Sequence, residues 1–192
     1  MTPQGDTRLL LRHKLDVGAY HRMAADVFTP EDRVELIEGD LIGMAPISTD
    51  HAGCVDELTR LVMRAYGDVA HVAVQNPVHI DRFNEPQPDV ALARPRPDRY
   101  RASRPGPTDL LLVIEVAVSS LRFDRAVKLP IYARAGVPEV WIVDLVGRQV
   151  EVYRTPTGNG YAEMTTKGPA DTVAPVLLPE IRLELATVFA EN

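Results

Sequence analysis

The chain has 192 residues, of which 45% are hydrophobic and 25% charged, with a formal net charge of −6. That is enough apolar material for a real core, and one domain is the expectation at this length. The acidic balance argues against a surface coated in positive charge for nucleic acid, although a local basic patch remains open. A single cysteine, Cys54, excludes an internal disulfide and fits a reducing cytoplasm.

Residues 1–15 read as a flexible N-terminus and residues 16–192 as a single domain. Between Met1 and Lys14 the only apolar cluster is Leu9-Leu10-Leu11, too short for a signal peptide or a membrane span. A helix is expected from about Val17 to Phe28, because Pro30 restricts the residue before it. Arg33 to Ile37 and Leu41 to Ala45 flank the turn Glu38-Gly39-Asp40 and read as a β-hairpin. Ser48-Thr49-Asp50 offers N-caps for a helix from about His51 to Tyr66. Leu58, Leu61, Val62 and Ala65 would lie on its buried face, with Gly67 as the C′ residue. Short strands are expected at 71–75, 78–81 and 89–93.

Beyond a proline-stiffened loop that carries Arg94, Arg96, Arg99, Arg101 and Arg104, the run Leu110 to Val118 reads as a strand buried on both faces. A helix follows over about 122–135, with Phe123, Val127 and Ile131 inside, Pro130 kinking or splitting it, and Gly136 as its stop. Glu139 to Asp144 is a second buried strand. A helix between two apolar strands is a βαβ crossover, so these two strands should be parallel. Gln149–Arg154 and Tyr161–Thr165 alternate like a hairpin around Gly158-Asn159-Gly160. The tail from Val173 adds a strand or two, with a short terminal helix as an option. The fold class is α/β (α+β mixed), a central mixed sheet flanked by helices.

Glu115 interrupts the most apolar of these strands. A lone ionised carboxylate there would cost several kcal/mol unless paired, so a structural cation or a metal ion is expected beside it. Asp89, after Pro88, opens a neighbouring apolar segment, and Lys128 lies on the next helix. Two carboxylates approaching on one sheet face favour a divalent cation. Magnesium suits such a site, because it accepts one or two carboxylates and keeps water and phosphate oxygens as its other ligands. A lysine nearby could lower the pKa of an attacking water or neutralise a phosphate, and these parts suffice for phosphodiester hydrolysis. Each residue also has a plainer explanation. Asp89 could form an Asx-turn, Glu115 could pair with a structural arginine, and Lys128 could be a surface lysine paired with Asp124. The arginine loop could be a solvated loop or a phosphate-backbone contact made by Arg94, Arg96, Arg99 and Arg101.

Pro88-Asp89 followed by Glu115 resembles the PD-(D/E)XK nuclease superfamily. Over about Val17 to Phe189 the chain resembles the bacterial Uma-two family of restriction-endonuclease-like proteins. The landmarks are Val34 to Leu41, His51, Pro88-Asp89-Val90, Val113 to Ala117, Asp124-Arg125 with Lys128, and the long stretch Tyr132 to Asp144. The resemblance implies a restriction-endonuclease-like core with an added N-terminal helix and β-hairpins. It implies Mg2+ or Mn2+ held by Asp89 and Glu115, with Glu35 as a further carboxylate and Lys128 as the lysine. His51 and Asp124 become substrate or supporting contacts, although a histidine in a first helical turn is ordinarily solvated. The implied activity is metal-dependent cleavage of DNA, with a homodimer by analogy and no membrane partner. Ala117 departs from the superfamily pattern, which carries lysine two residues after the glutamate, and Val118 stands where many relatives are polar. A turnover-deficient binding or assembly module therefore stays open, as does a metal-dependent phosphoesterase with a smaller substrate.

Overall fold

The computed structural model describes residues 13–29, 32–180 and 182–190, so most of the expected flexible N-terminus lies outside the described residues. Helix α1 (Val17–Val27) starts at Asp16, whose carboxylate accepts from the Ala19 amide at 2.8 Å. β1 (Val34–Ile37) and β2 (Asp40–Gly43) form the hairpin. Its two turn residues, Glu38 and Gly39, both have positive φ, the twist that matches flanking strands. Helix α2 (Thr49–Tyr66) is capped by Ser48, whose hydroxyl oxygen accepts from the His51 amide. Gly67 ends α2 in a right-handed conformation, not the left-handed one usual for a C′ glycine. Space requires the glycine here, since a Cβ would lie 2.5 Å from the Met63 carbonyl oxygen.

β3 (His71–Val74), β4 (Val90–Ala93), β5 (Leu110–Ala117), β6 (Glu139–Asp144), β7 (Gln149–Thr157) and β8 (Gly160–Lys167) form one six-stranded sheet in chain order. β5 and β6 run parallel, as the crossover requires, and the other pairs are antiparallel. The segment 78–81 is not a strand. Its amides are spent on three separate loop carbonyls, those of Pro86, Pro105 and Asn84, so no ladder can form. β9 (Thr172–Val173) and β10 (Leu183–Glu184) pair in the tail, which has no helix among its described residues. No described helix is long and apolar enough to cross a membrane.

Alternation along β5 divides the core into two layers. Leu112, Ile114 and Val116 pack with Leu58, Val62 and Tyr66 of α2 and with Leu185 and Phe189 of the tail. Val113 and Ala117 face the other layer, with Leu129, Ile131 and Tyr132. That second layer is the crossover segment 121–134. It comprises α3 (Leu121–Phe123), a π-helical turn (Asp124–Lys128) and α4 (Leu129–Arg134). The Leu129 amide reaches back to the Asp124 carbonyl, widening the turn just before Pro130, which has no amide hydrogen to donate. The extra residue rotates the helix phase. Asp124 and Lys128 become buried, whereas Phe123 and Val127, expected inside, are only half-buried.

Glu139 fastens the tail to the sheet. It is fully buried and accepts from Trp141 Nε1 at 2.6 Å, Arg154 Nε at 3.0 Å and the Val176 amide at 2.5 Å. Glu139→Ala strands all three donors and should remove about 3–5 kcal/mol of stability, with Glu139→Gln losing less. Urea unfolding reads this as a lower midpoint at unchanged slope. A loss for Glu139→Ala below about 1 kcal/mol would show that water replaces the carboxylate.

Candidate active site

Asp89 stands one residue before β4, and continuing the Val90–Ile114 register sets it opposite Glu115. Asp89 Oδ2 accepts from the Val116 amide at 2.8 Å and meets His51 Nε2 at 3.2 Å, while Oδ1 accepts from Gln75 Nε2 at 3.1 Å. Burial pushes this carboxyl up, but the hydrogen bonds from His51, Val116 and Gln75 outweigh it and leave it below the ordinary aspartate value. The same contact raises His51, against the opposing effects of burial and of the nearby Arg33 charge.

Glu115 has the opposite balance. Its Oε1 accepts from the Tyr132 hydroxyl at 2.7 Å, and Lys128 Nζ donates to its Oε2 at 3.3 Å. Burial drives its carboxyl well above the ordinary value. Lys128 resists this, and Asp124, Asp89 and Glu35 add to it. Lys128 also lies 3.1 Å from Glu35 Oε2, which the Gln87 amide supports from the same distance. Burial favours the neutral lysine, yet Glu115, Glu35 and Asp124 together hold its proton more firmly than usual. Asp124 accepts from Ser120 Oγ at 2.7 Å, and burial raises its carboxyl.

Glu35, His51, Gln87, Asp89, Glu115, Asp124 and Lys128 line one cavity of about 380 Å³ between the β1–β2 hairpin, the start of α2, the end of β5 and the π turn. It contains the carboxylates of Glu35, Asp89, Glu115 and Asp124, with Arg33 and Lys128 as permanent cations. Among the described residues, no three metal-binding side chains converge as a preformed cage. The Lys128 ammonium sits between two of the carboxylates. The donor set nevertheless fits a hard cation that takes one or two carboxylates and keeps its waters. The excess of carboxyl groups over cations is a further sign of a site built to hold something.

The geometry brings together Glu35, His51, Asp89, Glu115, Asp124 and Lys128. The plainer alternatives fail for several of them. Lys128 is not a surface residue and its ion pairs are with Glu35 and Glu115, because the π turn aims it inward. Glu35 is buried, not exposed on the hairpin. His51 is mostly buried against Asp89. The arginines are elsewhere. Arg94 follows β4 at the end away from Asp89, and neither it nor Arg96, Arg99 or Arg101 lines the cavity. Arg96 pairs with Asp98 and lies over the Tyr100 ring, Arg94 Nε donates to the Thr108 carbonyl, and Arg101 borders a second pocket with Arg104. Tyr132, Gln75 and Gln87 were not singled out from the sequence. Only Tyr132 carried a signal, because it lies four residues after Lys128 on the same helical face.

Comparison with known proteins agrees with this architecture. The chain is similar to a crystallised putative nuclease of the DUF820 family from Anabaena variabilis ATCC 29413, with a TM-score of 0.69 at 17% identity, covering 91% of this chain and 97% of that one. At that identity the likeness shows a shared fold. No curated protein matches the chain. A profile of the Uma2 family, described as "Putative restriction endonuclease", matches residues 17–186, which include every residue lining the cavity. The chain belongs to the Uma2 family of putative restriction endonucleases.

Proposed function

We propose that this protein is a divalent-metal-dependent endonuclease that hydrolyses phosphodiester bonds of DNA. One observation carries the reading: Asp89 and Glu115, on neighbouring antiparallel strands, share a cavity with a buried lysine and two further carboxylates. Asp89 and Glu115 would hold Mg2+ or Mn2+, with Glu35 as a further carboxylate. When bound, such an ion supplies Lewis acidity towards the phosphate and lowers the pKa of a water. His51 and Gln75 orient Asp89, and Tyr132 orients Glu115. Lys128 keeps its proton tightly, so it suits holding Glu35 and Glu115 together better than proton abstraction. Ala117 shares the sheet face of Glu115, and Lys128 reaches that glutamate from the helix above. Cutting both strands is most simply done by a symmetric pair of sites, so a homodimer belongs to this reading. The unpaired Cys54 suits a cytoplasmic setting.

A second reading has its own support. Lys128 already neutralises Glu35 and Glu115, as it would in a binding or assembly module that has lost turnover. Calorimetry separates the two, since the nuclease reading requires Mg2+ or Mn2+ to bind in the millimolar range or tighter.

Supercoiled plasmid should be nicked or linearised with Mg2+ or Mn2+ and left intact in chelator. Asp89→Asn and Glu115→Gln should each lower the rate about a hundredfold or more, and Tyr132→Phe roughly 10–100-fold. Undiminished cleavage by both carboxylate variants would sink the assignment.

The raised pKa of Glu115 gives a test that needs no turnover. A carboxyl whose folded-state value is raised contributes full stability below its unfolded value of about 4.3, and loses that contribution as pH climbs through the folded value. Asp124 acts in the same sense, whereas Asp89, whose value is lowered, loses its contribution only as pH falls. Metal-free protein should therefore lose Tm as pH climbs from about 4.3, and Glu115→Gln should flatten most of that slope. At a hundred times the dissociation constant, Mg2+ or Mn2+ should restore about 2.7 kcal/mol, roughly 5–10 °C for a chain of this size. Scanning calorimetry with and without chelator reads both effects. A metal-independent Tm would count against the site.

A further inference from the structure

Arg33 lines the carboxylate cavity and is half-buried there. It directly precedes β1, and its carbonyl accepts from the Met44 amide at 2.8 Å, so the hairpin ladder fixes its backbone. Residues two apart in an extended strand share a face, which sets Arg33 on the same side of the hairpin as Glu35. The other charged groups of the cavity have partners. Lys128 serves Glu35 and Glu115, His51 serves Asp89, and Ser120 serves Asp124. Among the described residues, none forms an ion pair or hydrogen bond with the Arg33 guanidinium, although four carboxylates share its cavity.

That arrangement has a physical consequence. A phosphodiester approaching a cavity rich in carboxylates is repelled unless a cation meets it, and Lys128 is buried with its charge already committed. A guanidinium drawn partly out of water is costly to leave without an anion. Its planar fork of donors matches two phosphate oxygens at once. We propose that Arg33 is the phosphate-binding residue of this cavity, gripping the backbone phosphate of a nucleic acid strand as it enters beside Asp89 and Glu115. The proposal rests on the nuclease reading for its ligand. It differs from the expectation for Arg94, Arg96, Arg99 and Arg101, none of which borders the cavity.

The test is fluorescence anisotropy of a labelled 20-base-pair DNA duplex, with Ca2+ replacing Mg2+ to limit turnover, across a range of salt. Arg33→Ala should weaken binding roughly tenfold or more and reduce the slope of log K against log salt by about one. Arg33→Lys should keep most of the slope and recover only part of the affinity, since it retains the charge and loses the fork. With Mg2+, Arg33→Ala should raise KM more than it lowers kcat. Unchanged affinity and slope in Arg33→Ala, or no duplex binding by the wild type, overturns the proposal. Arg33-dependent binding without cleavage by any divalent ion overturns the nuclease reading and leaves the Arg33 contact standing. Cleavage indifferent to Arg33→Ala does the reverse.

Discussion

The ammonium of Lys128 is the interaction on which the site depends. It joins Glu35 of the hairpin to Glu115 of the central strand from a position on the crossover helix, with both side chains almost wholly out of water. The distant hairpin is thereby fixed to β5 and its crossover segment around one cavity. A buried ion cluster of this kind is weak support for stability, because desolvation can cancel the attraction and apolar replacements are often neutral or stabilising. Its effect here is to hold carboxylates close together when their mutual repulsion would drive them apart. Burial first, and then the neighbouring carboxylates, raise the pKa of Glu115, and Tyr132 meets its remaining oxygen with a hydroxyl.

The π turn is what allows this lysine to be where it is. A regular helix through 121–134 would keep the apolar stripe Phe123, Val127 and Ile131 inward and leave Asp124 and Lys128 nearer the rim. Widening one turn before Pro130 removes the need for the missing amide and advances the phase by about one residue. A backbone irregularity caused by proline thus turns two charged residues into the buried face.

Elements marked by strong local signals were legible in the sequence. The apolar strands β5 and β6, their parallel pairing, the Ser48 cap of α2 and the Gly136 stop depend on periodicity and on residues with one dominant conformational preference. Asp89 and Glu115 were legible for a related reason, since a charge in an apolar strand requires explanation. The segment 78–81 carries β-prone residues, but its amides go to the loop carbonyls of Pro86, Pro105 and Asn84, which no local pattern reveals. Burial of Glu35 and Lys128 could not be read locally, as each is buried by residues more than ten positions away. The arginine loop lies at the end of β4 away from Asp89, because Asp89 precedes that strand and Arg94 follows it.

That last point bears on how an acidic protein would approach a polyanion. Carboxyl groups outnumber cations at the cavity, and the arginine-rich loop emerges at the opposite end of β4. Long-range attraction by a broad basic face is therefore a poor account of substrate entry, particularly at physiological salt, where the screening length is about 8 Å. Two local terms remain. One is a divalent ion, which would turn the carboxylates from a barrier into an anchor. The other is Arg33, uncommitted to any described carboxylate and fixed by the hairpin that carries Glu35. Binding of this kind needs both terms together, so loss of the ion should weaken the hold on a strand and on its scissile phosphate alike.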